Sequence, residues 1–141
     1  MARNKTTKRK AGRADVIEPG TVFRDPLADG SEGPEMAALP PGQFLMGSPD
    51  SDPDAENDEK PQHYITIGYS FAVGRYPVTE VEYHEFAVSI GRAKRESNVW
   101  PSHQRKPANS VSWGNAKTYV MWLSEQTGKE YRLLSEAEWE Y

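Results

Sequence analysis

The clearest periodicity in the chain lies between Ser112 and Gly128. There Trp113, Ala116, Val120 and Leu123 recur at helical spacing, and Tyr119 and Trp122 widen the stripe. Ser112 stands where an N-cap is needed and Gly128 where a left-handed stop is needed, so a helix is predicted over this span. Gly114 costs that helix about 1 kcal/mol relative to alanine, which tertiary packing must offset. A second predicted helix opens at Thr79, whose hydroxyl and the Glu82 carboxylate fit a capping box. It carries Tyr83, Phe86, Ala87 and Ile90 on one face and stops at Gly91. A third starts at Ser135 with Glu138 as the reciprocal cap and has room for only a short run before Tyr141.

Strand signals fill the middle of the chain. Phe44 and Met46 alternate with Leu45 and Gly47 after the turn residues Pro40, Pro41 and Gly42, which predicts a short strand ending at a glycine. Residues 64–67 and 69–76 are β-branched and aromatic, and Gly68 divides them into two strands or one bent strand. Between Glu18 and Gly42 the apolar residues Val22, Phe23, Leu27, Met36 and Leu39 stand alone among Pro, Gly, Asp and Glu. That stretch reads as a lead-in of loops and short extended pieces. The span from Asp50 to Glu59 holds six acids and a proline and reads as a solvated loop. Arg92 to Asn109 has no sustained period and reads as a long surface loop anchored by Trp100, of a length that is often functional.

Composition changes the picture at the N-terminus. Apolar residues make up 36% of the 141 residues and mean hydropathy is -0.81, more polar than an ordinary compact domain. The first thirteen residues contain Arg3, Lys5, Lys8, Arg9, Lys10 and Arg13 with no acid, so residues 1–16 are expected to be a disordered basic arm and residues 17–141 a folded unit. A nucleic-acid role is disfavoured because the chain is net acidic, at -4, and shows no basic face beyond the arm. No apolar run or amphipathic leader follows the basic residues, which leads to the expectation of a cytoplasmic protein without a membrane partner.

Candidate chemistry is thin. With zero cysteines the chain has no disulfide, no thiolate metal ligand and no cysteine nucleophile. The alternating acids Asp50, Asp52, Asp54, Glu56 and Asp58 resemble a calcium loop, but the sixth and twelfth places hold Ala55 and Pro61 where glycine and glutamate are required, and Pro53 interrupts the run. His63, His84 and His103 are far apart and on different predicted elements. Glu136, Glu138 and Glu140 suit the positive end of a helix better than acid–base work. The aromatics Trp113, Tyr119, Trp122 and Trp139 are expected in the core. No catalytic, cofactor-binding or metal-binding residue is assigned.

Three ordered segments carry a family resemblance. They are Phe44-Leu45-Met46-Gly47-Ser48; Asp58 to His63 leading into Phe71 to Thr79; and Val111-Ser112-Trp113 with Tyr131 to Tyr141. Together, over about residues 34–141, the chain resembles the first half of the formylglycine-generating enzyme, or sulfatase-modifying factor, family. Leu134 and Ser135 replace the proline and threonine usual in its closing motif, and the acid usual near Gly114 and Asn115 is absent. The resemblance implies an α+β, C-type-lectin-like mixed fold with little regular structure. It also implies an oxygen-dependent oxidoreductase that converts a sulfatase cysteine to formylglycine with copper held by two cysteines. Those cysteines and the family's calcium ligands lie beyond the closing motif, and soft thiolates are what hold Cu(I).

Because Tyr141 follows so soon after a helix start, the expectation is a truncated front half, inactive alone. Its expected partners are a sulfatase-type protein substrate or a complementary C-terminal half. Family members without the cysteines serve as iron-dependent sulfoxide synthase modules or as binding domains, so the alternative is a non-catalytic interaction module on the same scaffold.

Overall fold

A computed structural model describes residues 1–3, 17–94 and 106–141. Residues 4–16 of the expected arm, and Trp100 and His103 of the predicted long loop, lie outside the described residues. The elements in chain order are β1 (Ala2–Arg3), β2 (Val22–Pro26), β3 (Glu32–Leu39), β4 (Gly42–Met46), β5 (His63–Ile67), β6 (Phe71–Gly74), α1 (Glu80–Ser89), α2 (Trp113–Thr127), β7 (Tyr131–Arg132) and α3 (Glu136–Glu140). The result is a mixed α and β fold with two small antiparallel sheets, one ordered β2-β3-β6-β1-β7 and the other β4-β5.

The stretch expected to be a loose lead-in is instead a hairpin. β2 pairs with β3 through Val22↔Ala37, Phe23↔Met36 and Arg24↔Glu35, with an irregularity before Pro26↔Glu32. Its turn is closed by Leu27 N–H donating to Ser31 O at 2.8 Å and by the Asp29 carboxylate accepting from Ser31 N–H at 2.9 Å, while Gly30 takes φ +84. β3 buries Pro34, Met36 and Ala38, a period of two written in residues of weak strand preference. Pro34 is tolerated because β6 pairs only from Met36 to Leu39, leaving no β6 acceptor to be denied a donor at that position.

Of the arm expected over residues 1–16, only residues 1–3 are described: Ala2 is fully buried, and Ala2–Arg3 pair with both β6 and β7. Backbone pairing on two sides supplies the order that the local composition does not.

β6 sits between two cores because neighbouring strand residues point to opposite faces. Ala72 joins Met36, Phe86, Tyr119, Val120, Leu123 and Tyr131 under the helices, while Phe71 joins Ala2 and Ile67 beneath β4 and β5. On the helical side Phe86 meets Tyr119 edge-on at 5.3 Å and Trp122 at 5.5 Å, which locks α1 onto α2. On the other side Tyr141 lies 5.5 Å from the Phe44 ring and 6.3 Å from Phe71.

All three predicted caps form. The Thr79 and Ser135 hydroxyls accept from the Glu82 and Glu138 amides with the glutamates reaching back, Ser112 accepts from Asn115 N–H, and Gly128 ends α2 at φ +64. No helix among the described residues is long and apolar enough to cross a membrane.

Candidate functional site

The residues that carry the family motifs are brought together in space. Arg132 on β7 and Glu138 on α3 form a paired contact, with one guanidinium nitrogen donating to Glu138 Oε2 at 2.6 Å and the other to Oε1. Tyr69 donates its hydroxyl to Oε1 at 2.9 Å, and Ser135 N–H donates to Oε2 at 2.9 Å. Glu138 is 4% exposed, and Arg132 above all holds its carboxyl well below the usual range, down to about 2, against the opposing effect of burial. Bonding to that carboxylate, with burial, pushes the Tyr69 hydroxyl up.

Two residues on, Glu140 accepts from Gly47 N–H at 2.8 Å, while Gln62 donates to Gly47 O at 2.8 Å. Gly47 has φ +88, and a Cβ there would run into the Glu59 carbonyl, so only glycine lets the three segments close. Glu138 is thus fully engaged as a structural anion, Glu140 ties the first motif to the last, and Glu136 is exposed.

The other candidates from the sequence do not converge. His63 starts β5 with Nδ1 2.9 Å from Pro61 O, and His84 lies on α1. Among the described residues no group of three or more His, Asp or Glu is placed to share a metal ion. In the acidic loop Ser48 ties the two ends by donating to Glu59 Oε2 at 2.8 Å, Asp54 N–H donates to Asp52 Oδ1 at 3.0 Å in a local turn, and Asn57–Glu59 form one exposed 3-10 turn.

Of the aromatics expected in the core, Tyr119 is buried and Trp122 packs against it. Trp113 and Trp139 are 70% and 80% exposed, which corrects that expectation for both. Trp113 lies on the solvent side of α2 with Met121, eight residues on, and the Lys117 ammonium sits 4.7 Å from its ring centre. Helical spacing identifies a face but does not say which turns of it a neighbour covers.

Two grooves flank the β2–β3 hairpin and α1, and the sequence reading reached neither. The first, about 640 Å³, is lined by Arg24, Pro34, Glu35, Arg75, Tyr76, Pro77, Thr79, Val81, Glu82 and Pro107. Within it Glu35 accepts from Arg75 at 2.8 Å and Arg24 at 3.2 Å, and Arg75 foremost lowers its pKa. The second, about 410 Å³, is lined by Leu27, Asp29, Ser31, Glu32, Gly33, Pro34, Val81, Glu82, Glu85, Ser89, Tyr119, Trp122 and Gln126. Burial, then Glu82 and Tyr131, push the Tyr119 hydroxyl far up, so it stays protonated. These linings join residues from the hairpin, α1 and α2, and no local pattern announces that meeting.

Comparison with known proteins accords with the motif geometry. Residues 22–141 match the family described as the sulfatase-modifying factor enzyme 1-like domain. The solved structure of PvdO from Pseudomonas aeruginosa superposes with a TM-score of 0.73 at 38% identity, covering 89% of this chain and 51% of that one. The serine/threonine-protein kinase Pkn1 of Chlamydia trachomatis serovar L2 is 30% identical over 125 residues, 75% of this chain but 19% of the kinase. The corresponding kinase of Chlamydia pneumoniae is 26% identical over 125 residues, 75% of this chain and 18% of its own length. The chain therefore spans about a fifth of these curated relatives and about half of the structural neighbour. With the motif segments clasped as described and the family match running from residue 22 to residue 141, the chain belongs to the sulfatase-modifying factor enzyme 1-like domain family.

Proposed function

We propose that this chain provides the front half of a formylglycine-generating-type domain with the C-type-lectin-like arrangement of that family. In this reading the whole domain oxidises a protein cysteine to formylglycine, and this half supplies the frame rather than the reacting atoms. The observation that carries the proposal is that Trp113 and Met121 of α2 and Trp139 of α3 are each exposed, in a chain that covers 51% of its structural neighbour. Aromatic surface of this kind is what a second half of the same fold would cover. The clasp of Arg132, Glu138, Ser135 and Gly47 holds the outgoing chain in a defined place for such a continuation.

The copper that the family implies does not fit the donors of this chain. Cu(I) selects soft sulfur ligands, and the chain has zero cysteines, so no step through the metal is assigned to these residues. The expected outcome is that the chain alone forms no aldehyde on a cysteine-containing sulfatase peptide, whereas mixing it with a separately produced C-terminal half of a family member does. An aldehyde-reactive probe followed by mass spectrometry reads both. Aldehyde made by this chain alone would overturn the proposal.

A second reading, a non-catalytic interaction module, is favoured by one specific observation: the matched regions make up only 18–19% of two serine/threonine-protein kinases. Translating the DNA downstream separates the two readings, because a continuation with paired cysteines supports the first and an intergenic region the second.

A further inference from the structure

Among the described residues β7 reaches the five-stranded sheet through β1 alone, in the order β2-β3-β6-β1-β7. β1 pairs antiparallel with both neighbours, Ala2 facing Val73 on one side and Arg132 on the other, and Arg3 facing Ala72 and Tyr131. β6 and β7 therefore run parallel to each other, about 10 Å apart at twice the usual strand spacing, and bound a slot one strand wide.

The segment in that slot fills it with little. Its strand is 2 residues long, extended by Gly74 N–H donating to Met1 O at 3.1 Å, and the side chain enclosed at 0% exposure is only the methyl of Ala2. β1 pairs with nothing near it in sequence: residues 4–21 separate it from β2, and its partners lie in Phe71–Gly74 and Tyr131–Arg132. Holding it costs about 1–2 kcal/mol of backbone entropy for each residue fixed, with a short ladder to offset that. The slot also lies beside the last residues of the chain. α3 follows β7, and Tyr141 packs on Phe44 and Phe71 in the apolar cluster that holds Ala2.

We propose that the slot between β6 and β7 receives a strand of the second half of the domain, and that Met1–Arg3 plug it until that strand displaces them. This rests on the front-half reading, in which the continuation starts at Tyr141. The incoming strand runs antiparallel to both walls. It sets a small residue (Gly, Ala or Ser) beside Ile67 and Phe71, where Ala2 lies, and an apolar one at the Met1 position against the helical core. Main-chain hydrogen bonds to two strands at once supply the affinity, and the enclosed Ala2 position supplies the selectivity. Until the second half docks, the plug keeps two strand edges from pairing with other chains.

The chain has zero cysteines, so one engineered disulfide can lock the plug in place. Arg3→Cys/Ala72→Cys puts thiols on residues that face each other across the ladder, within the roughly 4.4–6.8 Å Cα separation that a disulfide needs. The probe is the part of PvdO from Pseudomonas aeruginosa that this chain does not cover, produced separately and labelled with a fluorophore. Its binding to the full chain is read by anisotropy. The oxidised double variant should bind it at least about a hundredfold more weakly than the same protein reduced, with matching circular dichroism spectra. Ala2→Lys sets a cation opposite Arg132 in a fully buried place and should empty the slot. It should bind about tenfold more tightly than the parent, the gain expected where the parent slot is open about a tenth of the time. Should Ala2→Lys misfold, the oxidised and reduced pair still decides. Equal binding by that pair, or a folded Ala2→Lys chain that binds no more tightly than the parent, would overturn the plug and leave the front-half reading standing. No binding by any form at about 0.1 mM would overturn both.

Discussion

Replacing Glu138 with glutamine keeps the side-chain shape and removes only its charge, which makes it the sharpest probe of the clasp. In the folded chain Arg132 holds this carboxyl down to about 2, against an ordinary value of 4.5. That gap corresponds to roughly 3 kcal/mol of preference for the folded state. Water still reaches Arg132, whose side chain is 28% exposed, and reduces the figure to about 2 kcal/mol. Because the folded pKa is depressed, the stabilisation is fully present above about pH 4.5 and is lost as pH falls toward 2.

Urea unfolding of the wild type and of Glu138→Gln at a series of pH values measures this directly. The variant should be less stable by about 2 kcal/mol near pH 7, and the difference should shrink steadily below about pH 4.5. A cycle with Arg132→Met should return a coupling of about 1–2 kcal/mol, since the neutral amide cannot attract the guanidinium as the carboxylate does. A Glu138→Gln effect under about 0.5 kcal/mol near pH 7, or one that stays constant down to pH 2, would refute the argument.

Two further outcomes follow from packing and backbone geometry. Leu123→Ala should cost about 2–5 kcal/mol in chemical unfolding, because Leu123 is fully buried between α2 and the sheet and its removal leaves a cavity. Gly47→Ala should cost at least about 1–3 kcal/mol and speed amide exchange at residues 47 and 48, since alanine resists φ +88 and its Cβ meets the Glu59 carbonyl. An alanine variant as stable as the parent would show that the Glu140–Gly47 contact is not what holds the first motif to the last.

Much of the local structure was legible in the residues themselves. Thr79 with Glu82, Ser135 with Glu138, Ser112 with Gly128, and the β-branched run around Ile65 each involve partners within a few positions, so geometry follows from nearest-neighbour chemistry. The ordered motifs likewise identified the family, and the missing cysteines excluded thiolate copper binding, because composition alone decides whether a ligand exists.

Only the tertiary structure decided that Ala2–Arg3 and the Pro34-containing β3 become strands, since Ala2–Arg3 pair with the distant β6 and β7, and β3 pairs with β2 along its length and with β6 from Met36 to Leu39, against their own weak preferences. It also decided that Leu123 is covered while Trp113, on the same helix, is not, because a periodic stripe says nothing about where the facing element ends. The groove between the β2–β3 hairpin and α1 belongs to the same class: Asp29 and Glu32 come from the hairpin, Glu85 from α1 and Trp122 from α2, and only the packing of those elements sets them side by side.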